Sequence, residues 1–403
     1  MLRTLKSYPK AINLLLAGTL VLTLARAITL PYLVIYLSSA FGLQVSDIGL
    51  VIGSSMILGS LLSLYGGFLV DRTPSYRLIL ACCALFTLGF IGAFGAHQLW
   101  LFYLCLVLVN LAYAVIDIAI KAGFAQRLSV EQRSEAFSIK YTLTNIGYAV
   151  GPFLGAGLAR LDISLPFLIS AALGAGFLAI HMRWGDRQLN AAGPTPAPLS
   201  FAALGKQLLR DYRLVCFTLG GLLSAVVFGQ FSAYLSQYLV VTTSAQDTYR
   251  IISTLVATNA LLVIALQYAI GRRITQRHLS RWLALGLGLF LLGVSGFGLA
   301  TSLALWVLSM VVFTLGEIIV FPAEYMFIDL IAPEHLRGLY YGAQNLSNLG
   351  GALGPILCGM LLASHPAHWI FYMLAAFIIA GGLFYWLGAA NLESMRNTAR
   401  SGT

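Results

Sequence analysis

Apolar residues occur along this chain in long blocks, not in alternation with polar ones. Polar breaks separate twelve blocks, at 12–38, 47–70, 76–95, 99–122, 136–159, 163–182, 213–240, 249–270, 281–299, 303–328, 337–362 and 368–388. Each matches the length that a helix needs to cross the hydrocarbon core, about 20 residues. Strands of a membrane barrel are about 10 residues long and alternate in polarity. The block LWLFYLCLVLVNLAYAVIDIAI, Leu99–Ile120, is too long and has no period of two. Only a helix satisfies its own backbone over such a length in lipid. The pattern therefore predicts an all-α integral membrane protein with twelve transmembrane helices. Arg3, Lys6 and Lys10 precede the first block as they would in a signal peptide. That block, however, exceeds twenty residues, contains Arg26 and ends at no small-residue cleavage site, so it is expected to be a retained first span.

Composition agrees with this pattern. Of 403 residues, 59% are hydrophobic and 9% charged, where a soluble domain has about 25% charged, and mean hydropathy is +0.86. A soluble enzyme, a disordered scaffold and a disulfide-rich secreted protein are excluded. The five cysteines, Cys82, Cys83, Cys105, Cys216 and Cys358, all lie in apolar blocks without zinc spacing. They read as buried small hydrophobes, and no metal is expected.

The chain holds 24 Lys+Arg against 14 Asp+Glu, a net charge of +10. In a soluble protein that excess suggests nucleic acid; here its placement decides. With the N-terminus in the cytoplasm, nineteen of the cations, from Arg3 to Arg400, fall at the cytoplasmic side, while Arg160 and Arg250 fall outside. This is the bias of cytoplasmic loops. It predicts that both termini are cytoplasmic and that the protein is multi-pass, with lipid and not nucleic acid as its surroundings.

The longest polar segment, 183–212, divides the blocks six and six. It predicts an N-terminal six-helix bundle at 1–182, a cytoplasmic linker at 183–212 and a C-terminal six-helix bundle at 213–403. Within the linker, AAGPTPAPLS is a Pro-rich stretch and LGKQLLRDYR is patterned as a surface amphipathic helix. The halves repeat one another. TNIGYAVGPFLGAG at 144–157 aligns with SNLGGALGPILCGM at 347–360, pairing Gly147 with Gly350, Gly151 with Gly354 and Pro152 with Pro355. Small residues four apart let helices approach closely, and proline bends a helix by removing a backbone bond.

These features resemble the major facilitator superfamily. The loop after the second block reads GGFLVDRTPSYR and is similar to the superfamily signature G-x-x-x-D-R-x-G-R-[RK]. Gly67, Asp71 and Arg72 match, Pro74 replaces the second glycine, and Arg77 lies just beyond the expected basic pair. GYAVGPFLGA, 147–156, resembles the fifth-helix signature gxxxGPxxGG of drug/proton antiporters. Span four has neither the Arg nor the following Gln-Gly of the antiporter pattern. The acidic position after it is Gln126, whereas Asp329 occupies the equivalent place in the second half. The resemblance covers nearly the whole chain. It implies two pseudo-symmetric bundles, alternating access, a monomer, and a cavity lined by spans one, four, seven and ten. It also implies a secondary active transporter that needs no cofactor beyond the proton gradient. The implied activity is proton-coupled efflux of small organic molecules such as drugs, sugars or dipeptides. The alternative is a proton-coupled uptake symporter for a small polar solute; a non-transporting receptor or an intramembrane enzyme is a third reading. By the same resemblance Asp71 and Arg72, with Gly67 and Arg77, are gate elements.

Ionisable groups inside a bilayer cost several kcal/mol each and mark function by default. Beyond the first two positions of each block, six Lys, Arg, Asp or Glu remain: Arg26, Asp117, Lys121, Lys140, Glu317 and Glu324. Arg26 needs an acidic partner or an anionic substrate. Glu317 and Glu324, two turns apart on span ten, share a face, with Pro322 offering a local break between them. A carboxyl in low dielectric takes up and releases protons near neutrality, which is the chemistry of coupling. Asp117 and Lys121 are four apart and expected to pair; Asp117 could also reach Arg72 or Arg77, and Lys140 is expected to snorkel to the interface. Tyr32 on span one, Asn110 and Tyr113 on span four, and Phe228, Gln230, Tyr234 and Gln237 on span seven complete the candidate cavity. Tyr36 and Tyr238 are expected in the interfacial belt. No Walker loop, HExxH or GxSxG is present, so no enzymatic activity is expected.

Overall fold

The computed structural model describes residues 2–188 and 200–401. The Pro-rich part of the expected linker, 189–199, and the side chains of Arg3, Arg396 and Arg400 lie outside the described residues. The described residues are helical almost throughout and contain no strand. They form two compact units, Met1–Pro198 with Pro333–Asn345, and Leu199–Ala332 with Leu346–Thr403.

The first unit contains α1 (Leu2–Ser7), α2 (Lys10–Thr29), α3 (Leu33–Phe41), α4 (Val45–Arg72), α5 (Ser75–Gly95), α6 (Leu99–Arg127), α7 (Val130–Leu161) and α8 (Leu165–Trp184). A 3-10 turn, Leu30–Tyr32, joins α2 to α3. Gly42 ends α3 with φ 64°, a left-handed conformation that favours glycine. Ser129 starts α7 with a reciprocal cap: its side chain accepts from Gln132 N, and Gln132 Oε1 accepts from Ser129 N. The second unit contains α9 (Phe201–Arg210), α10 (Tyr212–Phe228), α11 (Phe231–Thr242), α12 (Ala245–Gly271), α13 (Leu279–Leu299) and α14 (Leu303–Ile331). After α15 (Arg337–Asn345), which packs on α4 and α6 in the first unit, the second unit resumes with α16 (Leu349–Ser364) and α17 (Trp369–Ser401). In α9, Leu204 and Leu208 are buried one turn apart while Lys206 and Arg210 face out, as amphipathic patterning requires.

Glycine spacing sets the central contact of each unit. A methyl on Gly147 of α7 would lie 2.9 Å from Thr23 Cγ2 on α2, and one on Gly151 would collide with Ala27. In the second unit a methyl on Gly350 of α16 would lie 3.0 Å from Ala225 Cβ on α10, and Gly354 sits against Val226. The repeated G-x-x-x-G-P thus packs α7 on α2, and α16 on α10, in the same way. Both α7 and α16 continue as helices through Pro152 and Pro355.

Large apolar side chains stay outside the core. Phe153 and Leu161 are 80% exposed and Trp386 66%, surfaces that lipid solvates and water does not. Among the described residues ten helical stretches, with Glu334–Ser364 counted as one, are long and apolar enough to cross a membrane, or eleven when α9 and α10, bent by 81°, count as one. The 32-residue α7, with its Asn, Thr, Lys and Gly content, is not among the ten.

Candidate transport site

In the first unit, the close approach of α7 to α2 brings Tyr148, next to Gly147, over the end of α2. Arg26 Nη1 donates to Tyr148 Oη at 2.9 Å and Nη2 to Asn110 Oδ1 at 3.0 Å. Its guanidinium carbon lies 5.0 Å from the centre of the Tyr113 ring, within the range of a cation–π contact. Asn110 Nδ2 donates to Ser55 Oγ at 3.2 Å, which fixes its amide orientation, and the Tyr113 and Thr23 hydroxyls are 2.9 Å apart. The structure therefore gathers Arg26, Asn110 and Tyr113. Among the described residues no carboxylate pairs with Arg26. Tyr32 stands apart from this cluster, donating to the Pro152 carbonyl at 3.3 Å.

One turn beyond Tyr113, Asp117 sits between two lysines. Lys121 Nζ is 2.8 Å from Asp117 Oδ2, and Lys140 Nζ pairs with Oδ1. The lysine side chains are 2% and 6% exposed. Lys140 does not snorkel as expected: at this depth a carboxylate is within reach, and an ammonium is buried only with a partner. Lys121 also donates to Asn345 Oδ1 on α15 at 3.1 Å. Asp117 is paired with these lysines and not with Arg72 or Arg77.

Asp71, at the end of α4, caps α15. Its Oδ1 accepts from Gly338 N at 2.6 Å and its Oδ2 from Leu339 N at 2.8 Å, satisfying two donors that a helix start leaves open. Gly67 lies one turn earlier, where a methyl would come within 3.0 Å of the Gly338 carbonyl carbon. Arg72 lies over the Phe68 ring at 4.3 Å, and Arg77 is exposed on the first turn of α5. Arg133 and Arg337 both donate to the Ala125 carbonyl near the end of α6, at 2.5 and 3.2 Å, placing cations at a helix C-terminus.

In the second unit, α14 carries both carboxyls. Glu317 Oε2 accepts from Asn259 Nδ2 of α12 at 2.6 Å, and Asn259 also lies 3.1 Å from Thr314 Oγ1. Glu324 accepts from the Tyr385 hydroxyl of α17, which lies 3.4 Å from Ser224 Oγ of α10. Both carboxyls are buried. They share a helical face but engage different neighbours, and α14 runs unbroken through Pro322. Phe228 packs against Phe321 at 4.3 Å and Phe290 at 5.8 Å. Gln230 is exposed at the break between α10 and α11, while Tyr234 is buried and donates to Val227 O at 2.7 Å across that break. Tyr36 is not a belt residue: it is buried among Phe41, Phe102 and Phe167. Tyr238 is half-buried against Trp306 and Phe371.

Asn259, Thr314, Tyr148, Tyr385 and Asn345 escape sequence reasoning. Asn259 and Asn345 carry a usable signal, an amide inside an apolar block that needs a buried partner.

The family model described as Major Facilitator Superfamily matches residues 15–348. The MFS-type transporter YdeE of Escherichia coli (strain K12) is 36% identical over 93% of this chain and 94% of its own length. A Na(+), Li(+), K(+)/H(+) antiporter of Planococcus maritimus is 25% identical over 94% of this chain and 96% of its own. Among solved structures, the E. coli fucose:proton symporter FucP superposes with a TM-score of 0.75, covering 95% of this chain and 99% of FucP at 15% identity.

Proposed function

The chain belongs to the Major Facilitator Superfamily, and on that premise we propose that it exports small organic molecules, such as drugs, sugars or dipeptides, in exchange for protons. It is a membrane transporter and not an enzyme. In this reading it spans a bacterial inner membrane twelve times with both termini cytoplasmic. The twelve include α7 as span five, α10 with α11 as span seven, and α15 with α16 as span eleven. It cycles as a monomer by alternating access between bundles 1–182 and 213–403, joined by the linker 183–212.

The observation that carries the proposal is Glu317, a buried carboxyl in α14 held by the neutral amide of Asn259. A charge inside a bilayer is costly, and a proton bound there removes one. Asp117, clamped between two ammonium groups, is instead suited to stay ionised and hold α6, α7 and α15 in register. Glu324, against Tyr385 towards the cytoplasmic end of α14, would extend the proton path. In the second unit Phe228 would offer the substrate an apolar contact and Gln230 an amide; in the first unit Tyr113 would offer an aromatic face. Asp71 on α15 would be a gate contact that breaks when the inner side opens.

Export is favoured over symport by the GYAVGPFLGA segment and by the antiporter relative; the likeness to the fucose symporter reaches the fold alone. Everted membrane vesicles, acidified inside by respiration and reporting luminal pH by a fluorescent amine, separate the two. An antiporter releases luminal protons when substrate is added outside. A symporter under the same gradient does not respond to external substrate, and that result would replace the export reading.

A further inference from the structure

We infer that the Arg26 cluster of the first unit is a recognition site for an organic anion, a substrate bearing a carboxylate or a comparable acidic group. This narrows the substrate class of the proposed exporter and rests on that reading for its physiological meaning, not for its chemistry.

Arg26 lies inside the first apolar block, where an uncompensated charge is expensive. Its partners, Tyr148, Asn110 and the Tyr113 ring, are all neutral. A guanidinium has five N–H donors in a planar fork, and two of them are engaged by these hydrogen bonds. Tyr148 accepts from Arg26, so its own O–H proton is directed elsewhere, and Tyr148 is 37% exposed. A guanidinium edge beside a phenolic donor is the arrangement that binds a carboxylate with two charge-assisted hydrogen bonds.

Among the described residues no carboxylate pairs with Arg26. Asp117 is taken by Lys121 and Lys140, so these spans hold three cations against one carboxylate. Asn110 is committed through Nδ2 to Ser55, leaving its oxygen on Arg26 and fixing the guanidinium plane. The Tyr113 ring covers one face of the guanidinium and offers an aromatic wall to the organic part of a ligand. A cationic substrate would meet repulsion, and a neutral one would leave the charge uncompensated.

The test uses the full-length protein in lipid nanodiscs and matched probes on one scaffold: benzoate, benzamide and benzylamine, then N-acetylphenylalanine and its amide. Sodium chloride and phosphate are titrated separately. Binding is read by calorimetry and by ligand-induced shifts in melting. The acid of each set is expected to bind at least tenfold more tightly than its amide, and the amine not at all. Arg26→Gln should weaken acid binding by about 30-fold or more, as removing one partner of a buried charge pair does. Tyr148→Phe, which keeps the fold and the guanidinium, should weaken it by about three- to tenfold.

Equal affinity for acid and amide, no binding of any acid, or acid selectivity that survives Arg26→Gln would each overturn the inference. So would a full shift from chloride or phosphate alone, which would make the site an inorganic counter-ion site. A merely structural Arg26 would lower the baseline melting temperature without changing the acid-to-amide ratio. Acid binding in a wild-type protein that never exchanges protons for substrate would overturn the export reading and leave this inference standing.

Discussion

Replacing Asp117 with Asn removes one carboxylate from between two ammonium groups while leaving the side-chain volume nearly unchanged. Lys121 and Lys140 are 2% and 6% exposed, so neither reaches water without moving its helix. Breaking a buried ion pair by deleting one partner costs about 3–5 kcal/mol, because the remaining charge stays buried. Both lysines stay buried, and Lys121 keeps its hydrogen bond to Asn345, which puts the loss at the low end, near 3 kcal/mol. For a unit of this size that corresponds to a fall in melting temperature on the order of 10 °C. The assay is thermal unfolding in a mild detergent, with wild type, Asp117→Asn, Lys140→Met and the double variant forming a cycle. The double variant should recover most of the loss, since it removes both members of the tighter pair. If Asp117→Asn melts within a degree of wild type, or Lys140→Met fails to compensate it, the two-lysine clamp is not what holds α6 to α7.

Asp71→Asn keeps one acceptor for the α15 amides but loses the charge that the helix start favours, about 0.3–1 kcal/mol. Turnover should fall several-fold with substrate affinity within twofold of wild type; a large loss of affinity in equilibrium binding would contradict a gate role. Gly151→Leu drives a side chain into Ala27 and the adjacent α2 backbone, and should lower stability by about 3 kcal/mol or abolish folding. Gly157→Leu, on the same helix in open space, should be tolerated in the same melting assay.

The blocks of apolar residues made the helices legible, because lipid leaves the backbone no other solution. The charged candidates were legible for a related reason: each is costly enough to need an explanation. Arg26, Asn110 and Tyr113 could be grouped from spans one and four, but the clamp on Asp117 could not. Whether a lysine near a helix end snorkels or pairs depends on which neighbour reaches it, and Lys140 is brought to Asp117 by α7 packing beside α6. Asn259 and Tyr385 were hidden because their partners, Glu317 and Glu324, lie 58 and 61 positions away on other helices. Tyr36 reads as a belt tyrosine in sequence. Its burial among three phenylalanines follows from Phe102 of α6 and Phe167 of α8 meeting at its ring, which no local pattern encodes. The matching glycines at 147, 151, 350 and 354 sit where two helix pairs approach closely, since close backbone approach demands small residues wherever it occurs.

The central claim is that a proton exchanges on Glu317 as substrate leaves. It is tested by reconstituting wild type and Glu317→Gln in proteoliposomes with an imposed pH gradient and following substrate and proton movement together. The account predicts that Glu317→Gln stays folded, still binds substrate and still exchanges labelled substrate across the membrane without a gradient. It no longer accumulates substrate against one and moves no protons. Gradient-driven transport by Glu317→Gln at the wild-type rate would contradict the claim.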